Sequence, residues 1–246
     1  MNENLDEIAS NYHLQNLPDM HIERLCQEYE IDWLLENIAT TGQKVLDLGY
    51  GDGVNFESIA RHCSLTLVEG SGELAQKAKA RSGELGLSVT VHCGLFEEFV
   101  EDRNFDVIMA SHILEHVDQP VELLAHLSKL LRPGGILIGL VPNAESLHRR
   151  LGVAMGLNVQ LDDLSERDHL VGHQRVYDLH RLKNDLKLGG FIMTSHRGFF
   201  AKLLANHQML HLDQRVLLGL LKMSDDLPTE LCANLGFVAK KIIDHE

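Results

Sequence analysis

Val45-Leu46-Asp47-Leu48-Gly49-Tyr50-Gly51-Asp52-Gly53, or VLDLGYGDG, is the stretch on which the fold turns. From Lys44 to Leu48 it is a short apolar run of strand length. It then breaks into glycines at every second position, and the segment from Val54 to His62 has helical character. Strand, glycine turn and helix in that order form the ligand-facing turn of a doubly wound α/β sheet. A residue without Cβ lets the backbone reverse sharply and approach a ligand closely, and Gly49 and Gly51 are placed for that.

The same alternation continues outward from this turn. Leu65-Thr66-Leu67-Val68 reads as a second strand ending in Glu69-Gly70, and the segment from Gly72 to Leu85 as a helix. Further strands are predicted from Leu87 to His92, Phe105 to Ala110 and Gly135 to Val141. A helix from Pro120 to Leu131 is stopped by Arg132-Pro133-Gly134-Gly135. Upstream, the apolar positions from Met20 to Ile38 recur at helical spacing. Strands separated by helices of this length point to right-handed βαβ units and a mostly parallel sheet with helices on both faces.

After Asn143 the pattern loosens. Helices are predicted from Ala144 to Met155 and from Tyr177 to Leu188, with a polar, irregular stretch from Gly156 to His173 between them. A strand from Phe191 to Ser195 and a last one from Gly236 to Ile243 flank the Leu-, Met- and His-rich stretch from Phe199 to Lys222. That stretch reads as one or two helices serving as a cap or as a subunit contact in a homodimer. With 246 residues, 44% of them hydrophobic, one domain is expected. Its parts would be a helical leader (1–42), a ligand-binding core (43–143), and a substrate-side and C-terminal part with added helices (144–246).

Lys and Arg number 22 against 36 Asp and Glu, a formal net charge of -14 that repels a phosphate backbone, so no nucleic-acid partner is expected. The four cysteines are scattered without a C-x-x-C pair, which fits a reducing, cytoplasmic setting. The start MNENLDEIAS lacks the basic and apolar regions of a secretory signal, and no apolar run is long enough to span a membrane.

Asp47 ends the first strand, and Glu69 ends the second 22 residues later, where an acidic side chain in this architecture accepts hydrogen bonds from ribose hydroxyls. Two carboxylates sit poorly beside a pyrophosphate and well beside a ligand carrying an ammonium and a sulfonium. The spacing is also G-x-G-x-G, with Val54 where a dinucleotide fingerprint wants its third glycine.

VLDLGYGDG, the Glu69 that closes LTLVEG, FDVIMASHILEHV and LLRPGGILIGLVPN together resemble the class I S-adenosylmethionine (SAM)-dependent methyltransferase family, over about Gln43 to Asn143. The resemblance implies a Rossmann-like methyltransferase fold of seven strands, the last antiparallel, and SAM as cofactor. It further implies that Asp47, Gly49, Tyr50 and Gly51 flank the methionine part of SAM, and that Glu69, with Gly70 beside it, holds the ribose. Leu95 and Phe96 match the stretch that covers adenine, with Leu95 where the family commonly has an acid. Ser111 and His112 match the position facing the reaction centre.

His112-Ile113-Leu114-Glu115-His116 also fits the zinc-peptidase pattern H-x-x-E-H. The segment follows a strand directly and no downstream acidic ligand motif stands out, so no metal is expected. His116 has two readings, a pocket-lining group and a packed histidine at a helix start. His173 and Asp168, in RDHLVGHQRVY, join His116 as the candidates for taking an acceptor's proton, while His169 reads as a loop histidine. Tyr12, Met20 and Arg24 lie in a leader of the kind that often folds over the cofactor in such enzymes. The expected reaction is methyl transfer to an O or N atom of a small-molecule, sugar or natural-product acceptor. The alternatives are a nicotinamide-dependent oxidoreductase and a non-enzymatic SAM-binding regulator.

Overall fold

Among the described residues, seven strands hydrogen-bond into one sheet: β1 (Lys44–Leu48), β2 (Ser64–Glu69), β3 (Thr90–Cys93), β4 (Phe105–Ser111), β5 (Leu131–Pro142), β6 (Phe191–Phe199) and β7 (Asn234–Lys241). Their order across the sheet is β3-β2-β1-β4-β5-β7-β6. The pairs among β1 to β5 are parallel, and β7 runs antiparallel to both of its neighbours. The doubly wound α/β sheet expected from the sequence, with its last strand reversed, is the sheet observed. The computed structural model describes residues 5–9, 18–38, 42–102 and 105–242, so Tyr12 lies outside the described residues.

The period of two along the central strands divides the core between the two faces of the sheet. Leu46 of β1 and Ile108 and Ala110 of β4 belong to a cluster with Leu123, Leu124 and Leu127 of α5 (Pro120–Leu130) and Leu182 and Leu186 of α8 (Leu179–Leu188). The alternate residues Val45, Val107 and Met109 belong to a second cluster with Leu34 of α2 (Met20–Glu36), Phe56 and Ile59 of α3 (Phe56–His62) and Ala78 of α4 (Gly72–Leu85). Both faces of β1 and β4 are therefore covered, as a parallel sheet requires.

A third cluster joins Ile22 and Cys26 of α2 to Met209 of α9 (Asn206–Met209) and Leu217 and Leu221 of α10 (Gln214–Lys222). The stretch from Phe199 to Lys222 thus folds into the tail of β6 and two helices, and its apolar side packs against α2. Residues 5–9 are helical (α1).

Several boundaries differ from the sequence-based expectation. Residues 87–89 precede β3, because Leu87 closes the end of α4 through bonds between its N–H and the Ser82 carbonyl (3.0 Å) and between its carbonyl and the Ser82 hydroxyl (2.7 Å). Arg132-Pro133-Gly134-Gly135 follows the end of α5, as expected, but β5 begins ahead of it at Leu131 and not at Gly135. Pairing with β4 jumps from Phe105–Leu131 to Val107–Ile136, so these residues bulge out within β5, and Arg132 pairs with the Asp106 carboxylate. The first helix after the sheet core is α6 (Leu147–Ala154), and the polar stretch holds α7 (Glu166–Leu170), capped reciprocally by Ser165 and Asp168.

Leu46 is fully buried between the sheet and α5, and Leu46→Ala is expected to cost about 2–5 kcal/mol of unfolding free energy, measured by urea denaturation. A loss below about 1 kcal/mol would contradict the close packing of that face.

Candidate functional site

A cleft opens at the carboxyl ends of β1, β2 and β4, where a doubly wound sheet places its ligand. Its floor is the turn after β1. Gly49 has a φ of +85°, a conformation that strains any residue with a side chain, and a Cβ there would also stand 3.2 Å from Ile113 Cδ1, a tight contact. The Gly49 N–H donates to the Val68 carbonyl (2.8 Å), and the Tyr50 N–H donates to Glu69 Oε2 (2.7 Å). Glu69 Oε1 accepts from the Ser71 N–H (2.7 Å). Two strand ends and the turn are thereby locked to one carboxylate.

Ser71 in turn caps α4, its hydroxyl accepting from the Leu74 N–H (3.2 Å) and donating to Asp6 of α1 (2.5 Å). The neighbours of Asp6, Leu5, Ile8 and Ala9, form one wall of the cleft.

The cleft is strongly acidic. Asp47 is 8% exposed, and burial pushes its carboxyl up to about 8; no cationic side chain pairs with it among the described residues. Burial also raises the Glu69 pKa, against the hydrogen bonds from Tyr50 and Ser71. Glu30, buried on α2, and Glu115, fully buried after β4, flank His112. Burial opposes a charge on His112, yet the Glu115 hydrogen bond (3.1 Å to Nδ1) and Glu30 overrule it and carry its pKa up to about 10. One imidazolium therefore stands between two carboxylates.

Residues 112–116 form turns, so they do not present the helical face that a zinc-peptidase H-x-x-E-H motif needs. His112 has a left-handed backbone (φ +56°), uncommon for a residue with a side chain, and its N–H donates to the Leu140 carbonyl (2.8 Å). Its ring is engaged by Glu115.

Asp47, Gly49, Tyr50, Gly51, Glu69 and Phe96 all line the cleft, as do Ser111, His112 and His116 at its other end. Gly70 is buried behind Glu69, where a Cβ would stand 3.0 Å from Leu5, and Leu95 precedes the short helical turn Phe96–Glu98. Neither lines the cleft. His173 and Asp168 sit behind His116: the His116 and His173 rings meet edge-to-face at 4.7 Å, and His173 Nδ1 is 2.8 Å from Asp168 Oδ1. Asp168 also pairs with buried Arg149 (2.8 Å). Burial works to raise the Asp168 pKa, but His173, Arg149 and Ser165 hold it well below the carboxylate range. His169 lies apart, in an open groove with Asp163 and Arg181, and Arg24 is exposed on the outer side of α2.

Sequence reading passed over Glu30; it took Glu115 only as part of the H-x-x-E-H pattern and not as the partner of His112, and it expected the leader over the site through Tyr12, Met20 and Arg24 and not through Leu5, Ile8 and Ala9. The signal for Glu30 was present: Ile22, Cys26, Glu30 and Leu34 form a buried stripe at i, i+4 spacing, with an acid where an apolar residue belongs.

A family model described as "Methyltransferase domain" matches residues 19–196. The chain belongs to the class I SAM-dependent methyltransferase family. Among relatives, the ubiquinone biosynthesis O-methyltransferase of Aromatoleum aromaticum is 33% identical over 108 residues, covering 43% of this chain and 46% of that protein. This chain spans about half the length of the curated relatives it matches. An S-adenosylmethionine-dependent methyltransferase from Mesorhizobium loti superposes with a TM-score of 0.60 at 15% identity, over 86% of this chain and 98% of that one. The [4+2]-cyclase SpnF does so with a TM-score of 0.60 at 18% identity, over 87% and 80%. No helix among the described residues is long and apolar enough to cross a membrane.

The residues present fit the family's cofactor. Asp47 is a buried carboxyl that a cation arriving beside it would favour in its ionised form, Glu69 keeps lone pairs beyond its two backbone partners, and the buried Ser111 hydroxyl has no hydrogen-bond partner among the described residues. These could take an ammonium, a ribose and a polar methionine atom.

The raised Asp47 pKa has a testable sign. Its carboxyl holds a proton in the folded state up to about pH 8 and in the unfolded chain only up to about 3.8, so ligand-free protein loses stability as pH rises through that window. Asp47→Asn is expected to melt higher than wild type at about pH 8.5 and to match it at about pH 3.5. Parallel melting curves across the range would refute the burial of that charge.

Proposed function

We propose that this chain transfers the methyl group of SAM to an oxygen atom of a small-molecule acceptor. The observation that carries the reading is the convergence of Asp47, Glu69 and Ser111 on one glycine-floored cleft, with His116 at its far edge. The names of the curated relatives, ubiquinone biosynthesis O-methyltransferases, support oxygen over nitrogen and a small acceptor over a macromolecule.

SAM supplies a methyl carbon on an activated sulfonium, so the protein's work is mostly alignment and exclusion of water. Asp47 would hold the amino-acid ammonium and Glu69 the ribose hydroxyls, and Phe96 would offer an apolar face to the adenine. The Gly49–Gly51 turn and Ser111 position the methionine chain, while Leu5, Ile8 and Ala9 keep the cleft dry. The acceptor oxygen approaches from the His116 side, where His116, backed by His173 and Asp168, handles its proton. The acidic lining adds attraction for a cationic cofactor.

A nicotinamide cofactor fits less well, because Asp47 and Glu69 would repel a pyrophosphate and Val54 stands at the third glycine position. A SAM-binding regulator would share the cleft yet release no methylated product. The [4+2]-cyclase on the same fold is a reason to measure turnover directly, since fold alone does not fix chemistry.

The decisive measurement is transfer of labelled methyl from SAM to a panel of phenols, alcohols and amines, with label expected on oxygen. Glu69→Ala is expected to weaken SAM binding by about 1.5–3 kcal/mol, roughly ten- to hundredfold in Kd, through loss of charge-assisted hydrogen bonds. Unchanged affinity by calorimetry would remove Glu69 from the cofactor site. His173→Ala is expected to slow methylation while SAM affinity stays near wild type; equal loss of both would assign it a purely structural role.

A further inference from the structure

Glu115, His116 and His173 each offer one ligand atom, and these atoms all lie within 4.8 Å of one another. A tetrahedral ion bound at about 2.1 Å to each needs pairs of ligand atoms about 3.4 Å apart, a difference small enough for side-chain rotation to close. Glu115 and His116 are neighbours in the turn after β4, and His173 comes from the loop after α7, so two separate elements bring the three together.

Two of the three donors are already oriented from behind. Glu115 Oε1 is held by His112 Nδ1 (3.1 Å), which leaves Oε2 buried with no hydrogen-bond partner among the described residues. Glu115 is 0% exposed, so that orphaned oxygen is costly unless something arrives to pair with it. His173 Nδ1 is engaged by Asp168 (2.8 Å), which turns the other ring nitrogen free. A histidine that binds metal through one nitrogen and a carboxylate through the other is the usual arrangement behind a metal ligand. His116 lines the cleft together with Gly172, so a bound ion would meet the acceptor's side of it.

We propose that Glu115, His116 and His173 bind one divalent cation of the zinc class, with an open coordination position facing the cleft. Two imidazoles and one carboxylate suit Zn²⁺ or Co²⁺ better than Mg²⁺ or Ca²⁺, which prefer all-oxygen sets. Three protein ligands with a vacant fourth position describe a catalytic metal site more than a structural one. This departs from the metal-free site expected from the sequence, and its ligand set is not the sequence motif His112-x-x-Glu115-His116: His173 replaces His112, which supports Glu115 from behind.

The role in turnover rests on the methyltransferase reading above, whereas binding of the ion does not. An acceptor hydroxyl taking the open position gives up its proton to solvent more readily. The oxygen lone pair then forms the new C–O bond as the S–CH3 bond breaks and its electron pair stays on sulfur. With the ion bound, His116 serves as a ligand in place of the proton-handling role it has in the metal-free site, and Asp168 is a positioning residue.

Co²⁺ titrated into the full chain is expected to give visible d–d absorption saturating at one equivalent and displaced by Zn²⁺. Glu115→Gln and His173→Ala are expected to abolish that band, Asp168→Asn to weaken Co²⁺ binding by about ten- to hundredfold, and the remote His169→Ala to leave it intact. If the ligand variants do not fold, paramagnetic shifts of the His116 and His173 ring protons in wild-type protein make the same test. No saturable band, or a band that survives Glu115→Gln, overturns the site. SAM binding followed on the same samples separates the two readings: SAM uptake without Co²⁺ uptake removes the metal and leaves the methyltransferase, and the reverse removes the methyltransferase and leaves the metal.

Discussion

The hydrogen bond from the Tyr50 amide to the Glu69 carboxylate is the contact on which the site depends. It runs between the turn after one strand and the tip of its neighbour, so the shape of the floor and the position of the acid cannot vary independently. Gly49 makes it possible by reversing the chain with a positive φ, and Ser71 extends it by tying the second oxygen of Glu69 to the start of α4. Through Ser71 the same chain of bonds reaches Asp6, so α1 is held over the cleft by the group that shapes its floor.

The concentration of negative charge follows from the same geometry. Parallel strands end together, and an acid at the tip of each is carried into one crevice whose walls are apolar. Asp47 and Glu69 arrive from β1 and β2, and Glu30 and Glu115 close in from α2 and the turn after β4, with His112 as the cation between the last two. Carboxylates gathered this way raise one another's cost of ionisation and are relieved by positive charge from outside. A sulfonium, an ammonium and a divalent ion are each suited to that demand.

Much of the fold was legible because it rests on local patterns. Alternate residues of β1 and β4 enter opposite core clusters, and that alternation is visible in the bare sequence. Arg132–Gly135 was legible as the end of a helix, but not as a bulge inside the strand that follows, because turn-forming residues look alike whether a strand has yet to begin or merely detours. That Asp47, Gly49 and Glu69 line one cleft was equally legible, since they sit at strand ends. The meeting of His116 and His173 was not, because they become neighbours through the packing of two loops, and no spacing rule encodes that. Glu30 could have been found as the one acid in an apolar helical stripe, whereas the orphaned oxygen of Glu115 is visible only once its surroundings are known.

The position of β7 has a consequence for biosynthesis. This strand is the last of the seven in the chain yet lies inside the sheet, between β5 and β6. During synthesis β5 therefore waits with one long, apolar edge bare until residues 234–241 have left the ribosome. An uncovered edge is a template for pairing with other chains, so the nascent protein is most vulnerable to aggregation in that interval.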